Sequence, residues 1–141
     1  IDDTSLPESP LKVQSEIKIN EYMQSFKDSN FKNAANAIID LANSANLYLN
    51  ERAPWKLIKD LSNRNIVACD LYSVLESCRI IGILLNPIVP NLSIRILKQL
   101  KVDSLSITFE QSLHWGLLDP NNGLQDPTPV MAKIEFNEIS L

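Results

Sequence analysis

The sequence predicts an all-α fold: a bundle of about four helices followed by an irregular C-terminal tail. Two observations carry this. Apolar residues recur at every third or fourth position over long segments, the spacing that gives a helix one buried face. The chain holds only three glycines and few hairpin turn pairs, which argues against an all-β arrangement. Its 141 residues suffice for one sizeable core, and 45% hydrophobic with 21% charged residues is the composition of a globular chain, not a disordered one. The expected organisation is an exposed lead-in over 1–10, a helical bundle over 11–100, and a strap over 101–141 packed on the bundle.

The lead-in carries three acids and two prolines. Ser9 is placed to cap a first helix with Pro10 at its first position. Leu11, Ser15, Ile19, Tyr22, Met23 and Phe26 then share one face. Asp28-Ser29-Asn30 ends that helix and supplies a cap for the next. The second helix is expected over 30–52, with Phe31, Ala35, Ile38, Ala42, Ala45 and Leu49 inward and Asn33, Asn36, Asp40, Asn43 and Asn50 outward. Residues 62–65 offer caps for a third helix through Leu85, apolar on most sides and wet only along Asp70, Ser73 and Ser77. A helix with so narrow a polar strip belongs in the middle of a bundle. Gly82 predicts a close helix crossing there. Asn86-Pro87 stops that helix, and Pro90 opens a fourth through Leu100, with Leu92, Ile96 and Leu100 inward and Arg95 and Lys98 outward. Beyond it the pattern is irregular: a short turn or strand over 102–109, an apolar knot over 113–118, a turn over 119–123 and an extended segment over 126–135.

The second helix must break at Ala53-Pro54, because proline lacks an N–H and its ring clashes with the preceding turn. Trp55 sits just past the break, with Arg52, Lys56, Lys59 and Arg64 near it in sequence. An aromatic plane among cations suits an unstacked base and its phosphates. The competing reading has Trp55 plugging the end of the helical core. Asn46 falls nearer the apolar side than its polar neighbours, either as a satisfied core amide tying down the corner or as a base contact.

The net charge of −4 and isoelectric point near 4.9 do not describe a free-standing nucleic-acid binder. Any RNA contact must come from a local basic patch or from outside this chain. Cys69 and Cys78 are nine residues apart on one helix, roughly 13 Å at ~1.5 Å per residue and too far for a disulfide, so reduced, buried thiols are expected. With His114 the single histidine, no zinc set can be assembled and no nucleophile–histidine pair defended. No apolar run suits a bilayer and no signal-peptide pattern is present, so no membrane partner and an intracellular, cytoplasmic setting are expected. The chain begins at Ile1 without an initiator Met, which reads as a piece of something longer.

Ala45, Asn46, Tyr48, Glu51, Ala53, Pro54 and Trp55, with Phe31 upstream and Asn86-Pro87-Ile88-Val89-Pro90 downstream, form a pattern that resembles the anticodon-binding domain of methionyl-tRNA synthetase, a class I enzyme family. The resemblance covers about 16–135. It implies that Trp55 stacks on the first anticodon base, that Pro54 holds the indole, and that Asn46 lies on the buttressing helix. It implies the anticodon loop of tRNA(Met) and the enzyme's own catalytic domain as partners. The family's base-reading Asn and Arg belong to an earlier helix, and no position here inherits them. The His-x-Gly-His and Lys-Met-Ser-Lys-Ser types of motif are absent, so catalysis would lie elsewhere in a full-length methionine–tRNA ligase, with ATP and Mg2+ used there and no cofactor held here. Phosphate contacts by Arg52, Lys56, Lys59 and Arg64 are expected only from nearness in sequence to Trp55. The tail resembles the family's Pro-x-Ile segment, which folds back towards the catalytic body, and Lys133 matches a position usually basic. Two alternatives stand beside this reading: the same bundle in the isoleucyl, valyl, leucyl or cysteinyl enzymes, and a helical protein-interaction module.

Overall fold

The computed structural model describes residues 8–102 and 107–120. Among these residues six α-helices follow in order: α1 Pro10–Lys27, α2 Phe31–Arg52, α3 Pro54–Leu57, α4 Arg64–Leu85, α5 Pro90–Gln99 and α6 Phe109–Ser112. A 3-10 turn, Leu61–Asn63, leads into α4, and no strand occurs among the described residues. The segment expected over 126–135, including Lys133, lies outside the described residues.

The stop signals work as the residues require. Pro10, Pro54 and Pro90 each stand at the start of a helix, where a missing N–H costs nothing. Asn30 accepts from the Asn33 amide at 3.1 Å and caps α2, while Ser29 takes a positive φ of 55°. Ser9 stands at the α1 N-cap but makes no capping bond with its hydroxyl. In the tail, where a turn or strand was expected over 102–109, Thr108 and Gln111 form a reciprocal capping box and start α6.

Helix α4 occupies the centre, packed by α1, α2, α3, α5 and α6. The core joins Tyr22 of α1, Ala34, Ala37, Ile38 and Leu41 of α2, Ile80, Ile83 and Leu84 of α4, and Leu113. Tyr22 is 1% exposed and donates its hydroxyl to the Leu84 carbonyl at 2.7 Å, satisfying a helix-end acceptor across the bundle. Gly82 marks the expected crossing: a Cβ there would lie 3.0 Å from Leu97 Cδ2 and 3.1 Å from Ile96 Cγ2.

Four expectations are corrected. The buried stripe of α2 is Ala34, Ala37, Ile38, Leu41 and Ala45, whereas Phe31 and Ala42 are exposed and Ala35 and Leu49 half-buried. Apolar residues sit on both sides of that stripe, so periodicity leaves its rotation loose, and the partners α1 and α4 select the smoother face. On α4 the strip expected to be wet, Asp70, Ser73 and Ser77, is buried, and Leu71 is exposed instead. The serines satisfy themselves, Ser73 donating to the Cys69 carbonyl at 3.0 Å and Ser77 to the Ser73 carbonyl at 2.9 Å, so small polar residues line the interior without loss. On α5 the most buried residue is Ser93, bonded to the Gly82 carbonyl at 2.6 Å, with Leu92 and Ile96 half-buried, while Leu100 just past the helix is buried as expected. Cys69 and Cys78 are free thiols as expected, but both are half-buried, not fully buried.

Candidate nucleic-acid interface

The corner between α2 and α3 is built on Ala53, which has φ 44° and ψ 61°. Proline at the next position excludes the right-handed helical conformation, and Ala53 adopts the left-handed one, at a cost of about 1–2 kcal/mol for a residue with a Cβ. The backbone closes the corner from both sides. The Ala53 amide donates to the Leu49 carbonyl at 3.0 Å, and the Ala53 carbonyl accepts from Lys56 at 2.9 Å and Leu57 at 3.3 Å. Pro54 is buried, and Trp55 follows it about 100° further round the helix. Trp55 lies on the surface, 52% exposed, and it does not plug the core. Ile58 and Leu61 continue the apolar surface along the same segment, Leu61 at 81% exposure.

Three cations lie near Trp55 in sequence. Lys56, Lys59 and Arg64 are all exposed. Between Trp55 and Arg64 the only acid is Asp60. It is occupied locally, accepting from the Ser62 amide at 3.0 Å and the Ser62 hydroxyl at 2.8 Å, and these bonds hold its carboxyl below the usual carboxylate range. Three exposed cations and one locally bonded acid thus lie along residues 56–64 of an otherwise acidic chain.

Arg52 behaves differently from the other three. Its Nε donates to Asp70 Oδ2 at 2.8 Å, and its side chain remains 43% exposed. Asp70 comes from α4 and is 5% exposed; its other oxygen accepts from the Tyr48 hydroxyl at 2.8 Å. Burial, reinforced by the bond to Asp70, pushes the Tyr48 phenol up to about 12, and the same carboxylate raises Arg52 above its ordinary value. Asn46 stands exposed on α2, so the core-amide reading is corrected: the corner is fixed by backbone bonds and by Asp70. Sequence reasoning assigned Asp70 to solvent. The one available signal was that Tyr48 and Arg52 lie four apart on one face of α2, two polar groups able to share a carboxylate.

A family model described as the anticodon binding domain of methionyl tRNA ligase matches residues 3–140. The methionine–tRNA ligase of Synechocystis sp. is 35% identical over 140 residues, covering 92% of this chain and 26% of that protein. That of Caldanaerobacter subterraneus subsp. tengcongensis is 41% identical over 101 residues, covering 72% and 15%. The chloroplastic/mitochondrial methionine–tRNA ligase of Arabidopsis thaliana is 32% identical over 142 residues, covering 97% and 23%. The chain spans about a quarter or less of the length of these curated relatives.

Proposed function

The chain belongs to the family of anticodon-binding domains of methionyl tRNA ligase, and on that premise we propose that its α2–α3 corner receives the anticodon loop of tRNA(Met). Trp55 is the stacking platform for an unstacked base, Pro54 fixes the indole, and Lys56, Lys59 and Arg64 contact loop phosphates; Asn46 is a further RNA contact from the exposed side of α2. The observation that carries this is the exposed indole on a corner closed by backbone bonds from both sides. Stacking accepts any base, so Trp55 supplies affinity and leaves the choice of anticodon to other groups.

Within the same proposal, the parent ligase attaches methionine to tRNA(Met) in the cytoplasm, using ATP and Mg2+ held by its catalytic portion. Among the described residues no set of three His, Cys, Asp or Glu side chains gathers that would hold a metal. Among the described residues no helix is long and apolar enough to cross a membrane.

Titration with an anticodon stem-loop tests the site. Trp55→Ala is expected to weaken binding by about 1–3 kcal/mol, and log K against log salt should fall steeply because several phosphates are engaged. Unchanged affinity in Trp55→Ala sinks the platform. A nearly salt-independent affinity would overturn the phosphate contacts given to Lys56, Lys59 and Arg64.

A further inference from the structure

We infer that Arg52 is an aimed clamp for a phosphodiester of the bound RNA loop, and that Asp70, backed by Tyr48, is the positioning residue that aims it. This rests on the reading of the corner given above. A guanidinium carries five N–H donors in one plane. Asp70 engages only the Nε donor, and among the described residues neither terminal nitrogen of Arg52 has a hydrogen-bond partner. The carboxylate is itself fixed at two points, by Arg52 on Oδ2 and by the Tyr48 hydroxyl on Oδ1, and it is 5% exposed. Because the group is planar, fixing its Nε edge also sets the direction of the opposite edge. That edge presents paired N–H groups, a match for two phosphate oxygens. Arg52 is the last residue of α2, directly before the Ala53 corner and three positions from Trp55. An ordinary exposed arginine must be ordered when RNA binds; this one is already restrained.

Coulomb attraction alone predicts the opposite behaviour at Asp70. Removing an anion beside an RNA site should tighten binding, whereas removing the group that aims Arg52 should weaken it. The test is stem-loop affinity of the full-length ligase as a function of KCl for Asp70→Asn, Arg52→Gln, Arg52→Lys and the Asp70→Asn/Arg52→Gln double variant, each with its thermal melt recorded. Arg52→Gln is expected to bind roughly three- to tenfold more weakly, the order of one partly solvated charge-assisted hydrogen bond, with a salt slope shallower by about 0.7 for the lost phosphate. Arg52→Lys, which keeps the charge and the fold but loses the fork, should lose affinity while keeping its slope. Asp70→Asn should bind more weakly than wild type, and the double variant no more weakly than Arg52→Gln alone. Wild-type or tighter binding by Asp70→Asn, or wild-type binding by Arg52→Lys, overturns the inference; Arg52→Lys decides the matter if Asp70→Asn does not fold. Trp55→Ala separates the two levels. If it binds normally, the corner reading fails; if it binds weakly while every Arg52 and Asp70 variant binds normally, only this inference fails.

Discussion

Helix α4 supplies the acid of two acid–arginine pairs, and they differ in what is left over after pairing. Near its N-terminal end, Asp70 holds Arg52 by one nitrogen, and the arginine is 43% exposed. Two turns later Glu76 and Arg79 are 0% and 3% exposed. Glu76 accepts from Arg79 Nε at 2.9 Å and Nη2 at 2.6 Å, and from the amides of Gly116 at 2.7 Å, Leu117 at 3.1 Å and Leu118 at 3.1 Å. Arg79 in turn donates to the carbonyls of Ser112 and His114. Gly116, with φ 97°, allows successive amides to converge on one carboxylate. This second pair is saturated and holds residues 112–118 against the bundle. The first pair keeps donors facing water at the site where a ligand is expected. The same chemistry serves as a fastener when every group is spent internally, and as a recognition element when some are not.

The largest effect should come from the saturated pair. Glu76→Ala strands a buried guanidinium and three amides, and is expected to cost about 3–5 kcal/mol in urea unfolding; a loss below about 1 kcal/mol would remove the contrast between the two pairs. Alkaline unfolding comes next, because burial pushes the phenols of Tyr22 and Tyr48 each up to about 12. The unfolded chain ionises near 10 and the native one near 12, so the stability these groups confer is whole below pH 10 and is lost as the pH rises to 12. The share of Tyr22, which is 1% exposed, is on the order of 2–3 kcal/mol. Tyr22→Phe should flatten the melting temperature between pH 10 and 12 more than Tyr48→Phe does, since Tyr48 is only half-buried. Gly116→Ala isolates backbone strain, as a Cβ there would meet nothing within 4 Å; it should cost about 1–2 kcal/mol by thermal melt. The mirror change at the corner, Ala53→Gly, should gain roughly 0.5 kcal/mol once the added freedom of the unfolded chain offsets part of the relieved strain. Smallest of all, Trp55→Ala should shift stability by less than about 0.5 kcal/mol, the mark of a surface residue whose work is binding.

The helix ends were legible because prolines, Asn30 and the Asn86-Pro87 stop act through their own backbone chemistry, within a few residues. So was the inward face of α1, where Leu11, Ser15 and Tyr22 are buried as their spacing predicts. Local spacing failed where a polar residue is satisfied inside the bundle. Asp70 and Ser77 look like solvent-facing positions on α4, yet both are buried, one by pairing with α2 and the other by bonding to its own helix. Asn46 failed in the other direction, a polar residue drawn inward by its neighbours on a helical wheel and found exposed.

By itself the sequence determined where the four long helices begin and stop, that an indole follows a proline break with cations near it in sequence, and which family pattern that break belongs to. Those are properties of neighbours along the chain, set by ring closure, missing donors and side-chain period. Only the tertiary structure decided that Trp55 faces water, that Arg52 is tied to Asp70 by one edge, and that Glu76 gathers the amides of residues 116–118. Each of those joins groups at least 18 positions apart or depends on which residue of α3 is buried. The burial of a charge is fixed by the partner that reaches it, and no local pattern names that partner.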